Sequence, residues 1–159
     1  MARQFGVSLV ELVVVIVVVA VLAGAVIPGF GVVVQRNALT TQVNGFLASL
    51  QLARSEAVRQ RNTVVVQASD PGQTENEWGA GWTVRDADNR VLRTFEPSRA
   101  GMTFDGLDGV AVLSFNDRGR LVGNPATFDF CIGGDMGVRV SVSAIGRSST
   151  SDLTAGDCS

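Results

Sequence analysis

The sequence predicts an α+β protein, in which one long N-terminal helix, membrane-type in its first half and amphipathic in its second, packs on a small antiparallel β-sheet head. Three observations predict it. An apolar run from Val7 to Ile27 is interrupted only by Ser8 and Glu11. An apolar stripe of helical period follows and ends near Arg61. Beyond Thr63 the chain divides into short β-branched or alternating segments separated by Gly, Asp and Asn turns.

The first run is long enough, as a helix, to cross a hydrocarbon core of roughly 30 Å. Its many valines are mediocre helix formers in water. In lipid this matters little, because a spanning segment must satisfy its own backbone hydrogen bonds. Glu11 is the exception in the run. A carboxylate in such a helix costs ~2.5–3.5 kcal/mol even on lenient insertion scales. No Lys, Arg or His lies between Arg3 and Arg36, so the helix offers Glu11 no partner of its own. A secretory signal ending at Ala23-Gly24-Ala25 fits less well, since a single Arg precedes the run and an acid interrupts it. A plain single-pass anchor accounts for the length but not for Glu11.

Pro28-Gly29-Phe30-Gly31 then predicts a kink or local melting, because proline removes a helical hydrogen bond and clashes with the preceding turn. The helix resumes at once. Leu39, Val43, Phe46, Leu50, Ala53 and Ala57 follow a 4-3-4-3-4 spacing and form one apolar face. Gln35, Arg36, Gln42, Asn44 and Gln51 fall largely off it, while Arg54, Glu56 and Arg59 read as a solvated face with weak local pairing. Asn62 is the expected stop.

In the head, Thr63–Gln67 reads as a strand and Ser69–Glu77 as a loop. Trp78-Gly79-Ala80-Gly81-Trp82 reads as two core aromatics flanking a tight turn. Trp82–Arg85 and Val91–Phe95 form a hairpin across Asp86–Arg90. Val110–Phe115 and Leu121-Val122 form another across Asn116–Arg120. Thr127–Ile132 and Val138–Ile145 alternate apolar with polar residues, as half-buried strands do. The tail from Gly146 to Ser159 is Ser/Thr-rich and shows no period. Cys131 and Cys158 fit neither a CxxC nor a zinc spacing. Downstream of an export-type segment, they predict a disulfide formed in an oxidising compartment that pins the tail.

Charge and composition narrow the chemistry. The chain is net −2, but from Thr63 onward eight Arg face thirteen Asp and Glu, so the head is net −5. That argues against a general phosphate-binding surface. With no His, there is no Ser-His-Asp or Cys-His system and no His-based metal site. No GxxxxGK[ST] or GxGxxG element follows a strand. Asp86 with Asp88, and Asp105 with Asp108, are expected in turns, where Asp serves the backbone. The expectation is a protein that is not an enzyme and uses no cofactor and no metal.

Phe5-Gly6-Val7-Ser8-Leu9-Val10-Glu11 resembles the type III signal of type IV pilins and their relatives. The resemblance implies cleavage between Gly6 and Val7 by a prepilin peptidase, methylation of the new amine, and Glu11 as the fifth mature residue. The family's first mature residue is usually Phe or Met, and Val7 departs from that. It further implies that a neighbour's amine neutralises Glu11 inside an apolar filament core. Pro28 stands where pilins carry a proline in the assembling helix. Leu52-Ala-Arg-Ser-Glu-Ala-Val-Arg59 and the Trp78–Trp82 element resemble the GspH/FimT (FimU-like) branch of minor pilins and pseudopilins. The implied organisation is a leader (1–6), a transmembrane and filament-core helix (7–28), an amphipathic helix half (29–62) and a β-rich pilin head (63–159).

The implied partners are other pilins or pseudopilins, the prepilin peptidase and the inner membrane, with the head periplasmic and then on a pilus or pseudopilus. The implied role is a type IV pilus minor pilin assisting assembly. Two alternatives are a type II secretion pseudopilin and a minor pilin that contacts DNA. Branch members that capture DNA carry a Gly-Arg-x-Arg element after the final strand. Here Gly146-Arg147-Ser148-Ser149 keeps the first Arg and replaces the second by Ser. With the head at net −5, Arg147 as an ordinary surface residue at a strand end is the stronger reading. Intact-mass measurement on membrane-extracted protein is expected to show a chain starting at methylated Val7. A start at Ala25 or Val26, or retained Met1, excludes that processing.

Overall fold

The structure, a computed structural model, describes residues 8–134, 136–154 and 156–158, with the side chains of 23–30 outside the described set. Helix α1 spans Leu9–Gln60. The chain forms two compact units, one ending at Gln35 and one comprising Arg36–Ser159. The second unit therefore holds the helix half from Arg36 together with the strands. The kink expected at Pro28 falls where side chains are not described.

In the first unit the helix is entered at Ser8, whose C=O accepts from the Leu12 N–H at 3.1 Å. In the second, Leu39, Val43, Phe46, Leu50, Ala53 and Ala57 are all buried, as their spacing requires. The helix ends one residue earlier than Asn62 suggested. Arg61 adopts the left-handed conformation (φ 51°). The Asn62 N–H then reaches back to Ala57 C=O and the Arg61 N–H to Val58 C=O, the paired bonds that close a helix C-terminus.

Among the described residues nine strands follow in two antiparallel sheets. They are β1 (Val64–Ala68), β2 (Trp82–Arg85), β3 (Val91–Phe95), β4 (Met102–Gly106), β5 (Val112–Phe115), β6 (Leu121–Val122), β7 (Ala126–Ile132), β8 (Met136–Val142) and β9 (Ser148–Leu153). One sheet has the order β3-β2-β1-β5-β6 and the other β4-β7-β8-β9. The sequence reading missed β4 and β9. Asp105, expected in a turn, lies on β4 opposite Asp129. The tail, expected to lack regular structure, contributes β9, which pairs with β8 from Ser148↔Val142 to Leu153↔Gly137. Its Ser/Thr content hid it, because an edge strand open to water needs no apolar alternation.

The core closes on Phe46. Its ring lies 4.8–5.7 Å from those of Trp78, Trp82, Phe104, Phe128 and Phe130, mostly edge to face. Phe104 comes from β4, Phe128 and Phe130 from β7, and Trp82 from β2, so one helical side chain holds both sheets. The Trp78–Trp82 element also shields the edge of β4. Phe104 C=O accepts from the Trp78 N–H (3.1 Å), and its N–H donates to Asn76 Oδ1 (2.8 Å). Gly81 makes this turn possible: its φ is +92°, and a Cβ there would lie 2.5 Å from Phe95 O.

Cys131 and Cys158 are joined by a disulfide. It crosses β8 at Gly137, where a Cβ would lie only 2.5 Å from Cys158 Sγ. The bridge closes a loop of 27 residues, worth ~3–4 kcal/mol in the chain-entropy model. Cys158→Ser is expected to lower stability by up to that amount. Hydrogen exchange should show protection lost from β9 to the tail while β8, held on its other side by β7, keeps it. Equal loss in β7 and β8 would show instead that the tail is integral to the core.

Candidate functional site

The first unit carries the feature least compatible with an isolated molecule. From Leu9 to Leu22 every Leu, Ile and Val is 48–79% exposed, on all sides of the helix. Contiguous apolar surface on this scale marks a contact with protein or lipid. Among the described residues no helix is long and apolar enough to cross a membrane. The apolar run of the sequence continues to Ile27, through residues whose side chains are not described. Glu11 is exposed in the first turn of this helix, where the helix dipole favours a carboxylate. It is the only charged residue from Leu9 to Gln35. Gly6 and Val7 lie outside the described residues, and for Pro28 nothing beyond its place in α1 is described.

In the head, the acidic groups divide into turn-formers and a cluster. The buried Asp86 carboxylate accepts from the Asp88 and Arg90 N–H groups (3.1 and 2.9 Å) and from Arg90 Nε (2.9 Å). Burial pushes its pKa up, but these hydrogen bonds outweigh it and hold the carboxyl below the ordinary range. Asp86 and Asp88 thus build the β2–β3 turn. Asp105 does not meet Asp108, which sits in a short 3₁₀ turn with φ 62°. It faces Glu77 and Asp129 instead. Asp129 is buried and bound in two-pronged fashion by Arg139, at 2.8 and 2.7 Å. Among the described residues no group of three or more Asp, Glu, Cys or His is arranged to hold a metal.

Arg147 is exposed on the β8–β9 turn, not beyond a final strand as the sequence suggested. Its N–H donates to Ser143 Oγ, and its C=O accepts from the Ser143 N–H and hydroxyl. It borders a shallow groove with Thr127, Ser141 and Ser149.

The chain matches known proteins both in sequence and in fold. The family model described as Type II transport protein GspH matches residues 42–146, and the Prokaryotic N-terminal methylation motif matches residues 1–27. The chain belongs to the GspH family. This GspH-family protein is similar to the type IV minor pilin FimU of Pseudomonas aeruginosa. One crystal form shows 33% identity and a TM-score of 0.63, covering 73% of this chain and 90% of the crystallised one. A second crystal form gives 29% identity and a TM-score of 0.57, covering 71% and 92%. The minor pseudopilin EpsH of the Vibrio cholerae Type 2 Secretion System shares the fold, at 17% identity and a TM-score of 0.53 over 74% of this chain and 98% of EpsH. No curated protein sequence matches the chain. It is thus a pilin-like α+β subunit of the family that includes type IV minor pilins and type II pseudopilins.

Asp105 yields a pH prediction. Burial, then hydrogen bonding to Glu77 and the charges of Glu77, Asp129 and Glu75, push its pKa up to about 6. A raised carboxyl pKa favours the protonated fold. This stabilisation is complete below the unfolded value near 3.8 and is lost as pH rises through about 6. Asp105→Asn is therefore expected to be more stable than the parent chain at pH 7.5 by ~1 kcal/mol, discounted for partial exposure. The difference should vanish near pH 4. Thermal unfolding across this range checks both the sign and the crossover.

Proposed function

We propose that this chain is a minor pilin of a type IV pilus, a structural subunit that assists filament assembly and initiation and performs no catalysis. The observation that carries the reading is a helix with apolar side chains exposed all round from Leu9 to Leu22 and one carboxylate, Glu11, in its first turn. Such a helix is stable only when lipid or other helices surround it. Residues 1–6 act as a leader removed between Gly6 and Val7 by the prepilin peptidase. Residues 7–28 sit first in the inner membrane and then in the filament core, with Pro28 at the boundary. Residues 29–62 and 63–159 form the amphipathic helix half and the exported head. Partners are other pilins, bound through the helix.

The methylated amine of one subunit reaches Glu11 of the next. The pairing removes the cost of an uncompensated charge among apolar side chains and sets the axial register. The family also contains type II pseudopilins, and the same helix would serve in a pseudopilus. The likeness to FimU, at nearly twice the identity of the likeness to EpsH, supports the pilus reading.

Glu11→Ala is expected to insert normally and to enter filaments about tenfold less or worse. That is the scale of losing a charge-assisted bond of roughly 1.5–3 kcal/mol. Comparing membrane and sheared-filament fractions measures it. Equal incorporation would remove Glu11 from the mechanism.

A further inference from the structure

Three segments of the head meet at the end of α1. The β5–β6 turn lies against the last helical turns, where a Cβ on Gly119 would come within 3.0–3.2 Å of side-chain atoms of Arg54 and Val58. The β8–β9 turn lies against the β5–β6 turn, where a Cβ on Gly146 would stand 2.5 Å from Gly119 O. Arg54 Nη1 also donates to Gly146 C=O (3.5 Å), and the Leu121 N–H to Ala144 C=O (3.1 Å). Both turns are braced from within. Asn116 Oδ1 accepts from the Arg118 and Arg120 N–H groups (3.0 Å each), and the Gly146 N–H donates to Ser143 C=O (2.8 Å).

This junction gathers positive charge that the net charge of the head conceals. Residues 54–61, 116–120 and 143–147 together carry six arginines and two acids. The rest of the chain from Thr63 onward carries five arginines and twelve acids. All six arginines are exposed. Arg59 is paired with Glu56, and Arg118 approaches its neighbour Asp117 only to 3.8 Å. Arg54, Arg61, Arg120 and Arg147 form no ion pair among the described residues. Among these charges stand two apolar side chains that the fold leaves open, Val58 at 49% and Ile145 at 56%.

The mixture decides the class of partner. Arginines around aliphatic side chains are the composition of a protein-recognition surface, and a braced platform loses little entropy on binding. A nucleic acid duplex fits less well. It would extend past so small a patch and run its phosphates along the acidic remainder, and its backbone offers Val58 and Ile145 nothing. A compact acidic segment meets neither obstacle.

We propose that this end of the head docks a different exported subunit, through a segment in which Asp or Glu residues flank an apolar side chain. The carboxylates meet the guanidinium forks, and the apolar side chain covers Val58 and Ile145. The inference rests on the assembly reading, under which a minor subunit has subunits of other kinds as neighbours.

The test uses full-length protein in membranes and filaments, with a photoreactive side chain at one of two positions. Ile145→p-benzoylphenylalanine is expected to give an adduct with a different protein, mapping to a segment rich in Asp and Glu. Arg54→Glu and Arg147→Glu should each cut that adduct about threefold or more, and raised salt should do the same. Val14→p-benzoylphenylalanine reports helix packing independently. Helix adducts from Val14 with none from Ile145 would overturn the docking end and leave the assembly reading standing. So would an Ile145 adduct to a second copy of this chain or to a segment without acids, or charge reversals without effect. In detergent at physiological salt, the full chain is expected not to shift a short DNA duplex in electrophoresis. A shift abolished by the same reversals would assign this end to nucleic acid and overturn the proposal. Loss of both adducts would overturn it together with the assembly reading.

Discussion

Phe46 is the side chain on which both sheets converge. It lies at the middle of the buried helical stripe, and five aromatic rings from β2, β4, β7 and the Trp78 loop surround it. Edge-to-face pairs of this kind add ~0.5–1.5 kcal/mol each beyond the area they bury. Truncating such a buried Phe costs ~3–5 kcal/mol, a large part of what a domain this small can have in reserve. Trp82 of one sheet also meets Phe104 of the other directly, edge to face at 5.4 Å. A backbone bond from the Leu121 N–H to Ala144 C=O adds to this tie.

The same helix serves two opposite demands. From Arg36 most of its apolar residues fall on one stripe that the head buries, with Val58 left half exposed, so the head is satisfied largely by its own chain. From Leu9 to Leu22 the apolar residues surround the helix and are left for others to cover. Glu11 sits in that second region, where a charge has most to gain from a partner and most to lose without one. A stretch that looks destabilising in one copy is therefore an instruction about its surroundings.

Much of this was legible in the sequence. The 4-3-4-3-4 stripe gave the buried helix face residue by residue, because burial enforces the period. The β2–β3 hairpin fell on its predicted bounds, because the Asp86–Arg90 turn signals both ends. Cys131 and Cys158 could be paired because no other thiol competes. Three features were not legible. β9 carries serines and threonines along a solvated edge, where alternation carries no information. β4 holds only Met102 and Phe104 among polar and glycine residues, and the loop that covers its edge is far away in sequence. The Asp105–Glu77–Asp129 cluster joins residues from a loop and two strands, and neighbours in a sheet are set by topology that local pattern does not reach. The leader and its cleavage site belong to motif resemblance alone.

The aromatic socket has a spectroscopic consequence. The chain has two tryptophans and no tyrosine, and both indoles lie within 5.7 Å of the Phe46 ring. Its near-ultraviolet emission therefore comes from a single buried locus, unmixed with signal from the apolar N-terminal run. Fluorescence from this protein, in detergent, bilayer or fibre, reads out the socket where the helix, the Trp78 loop and both sheets meet.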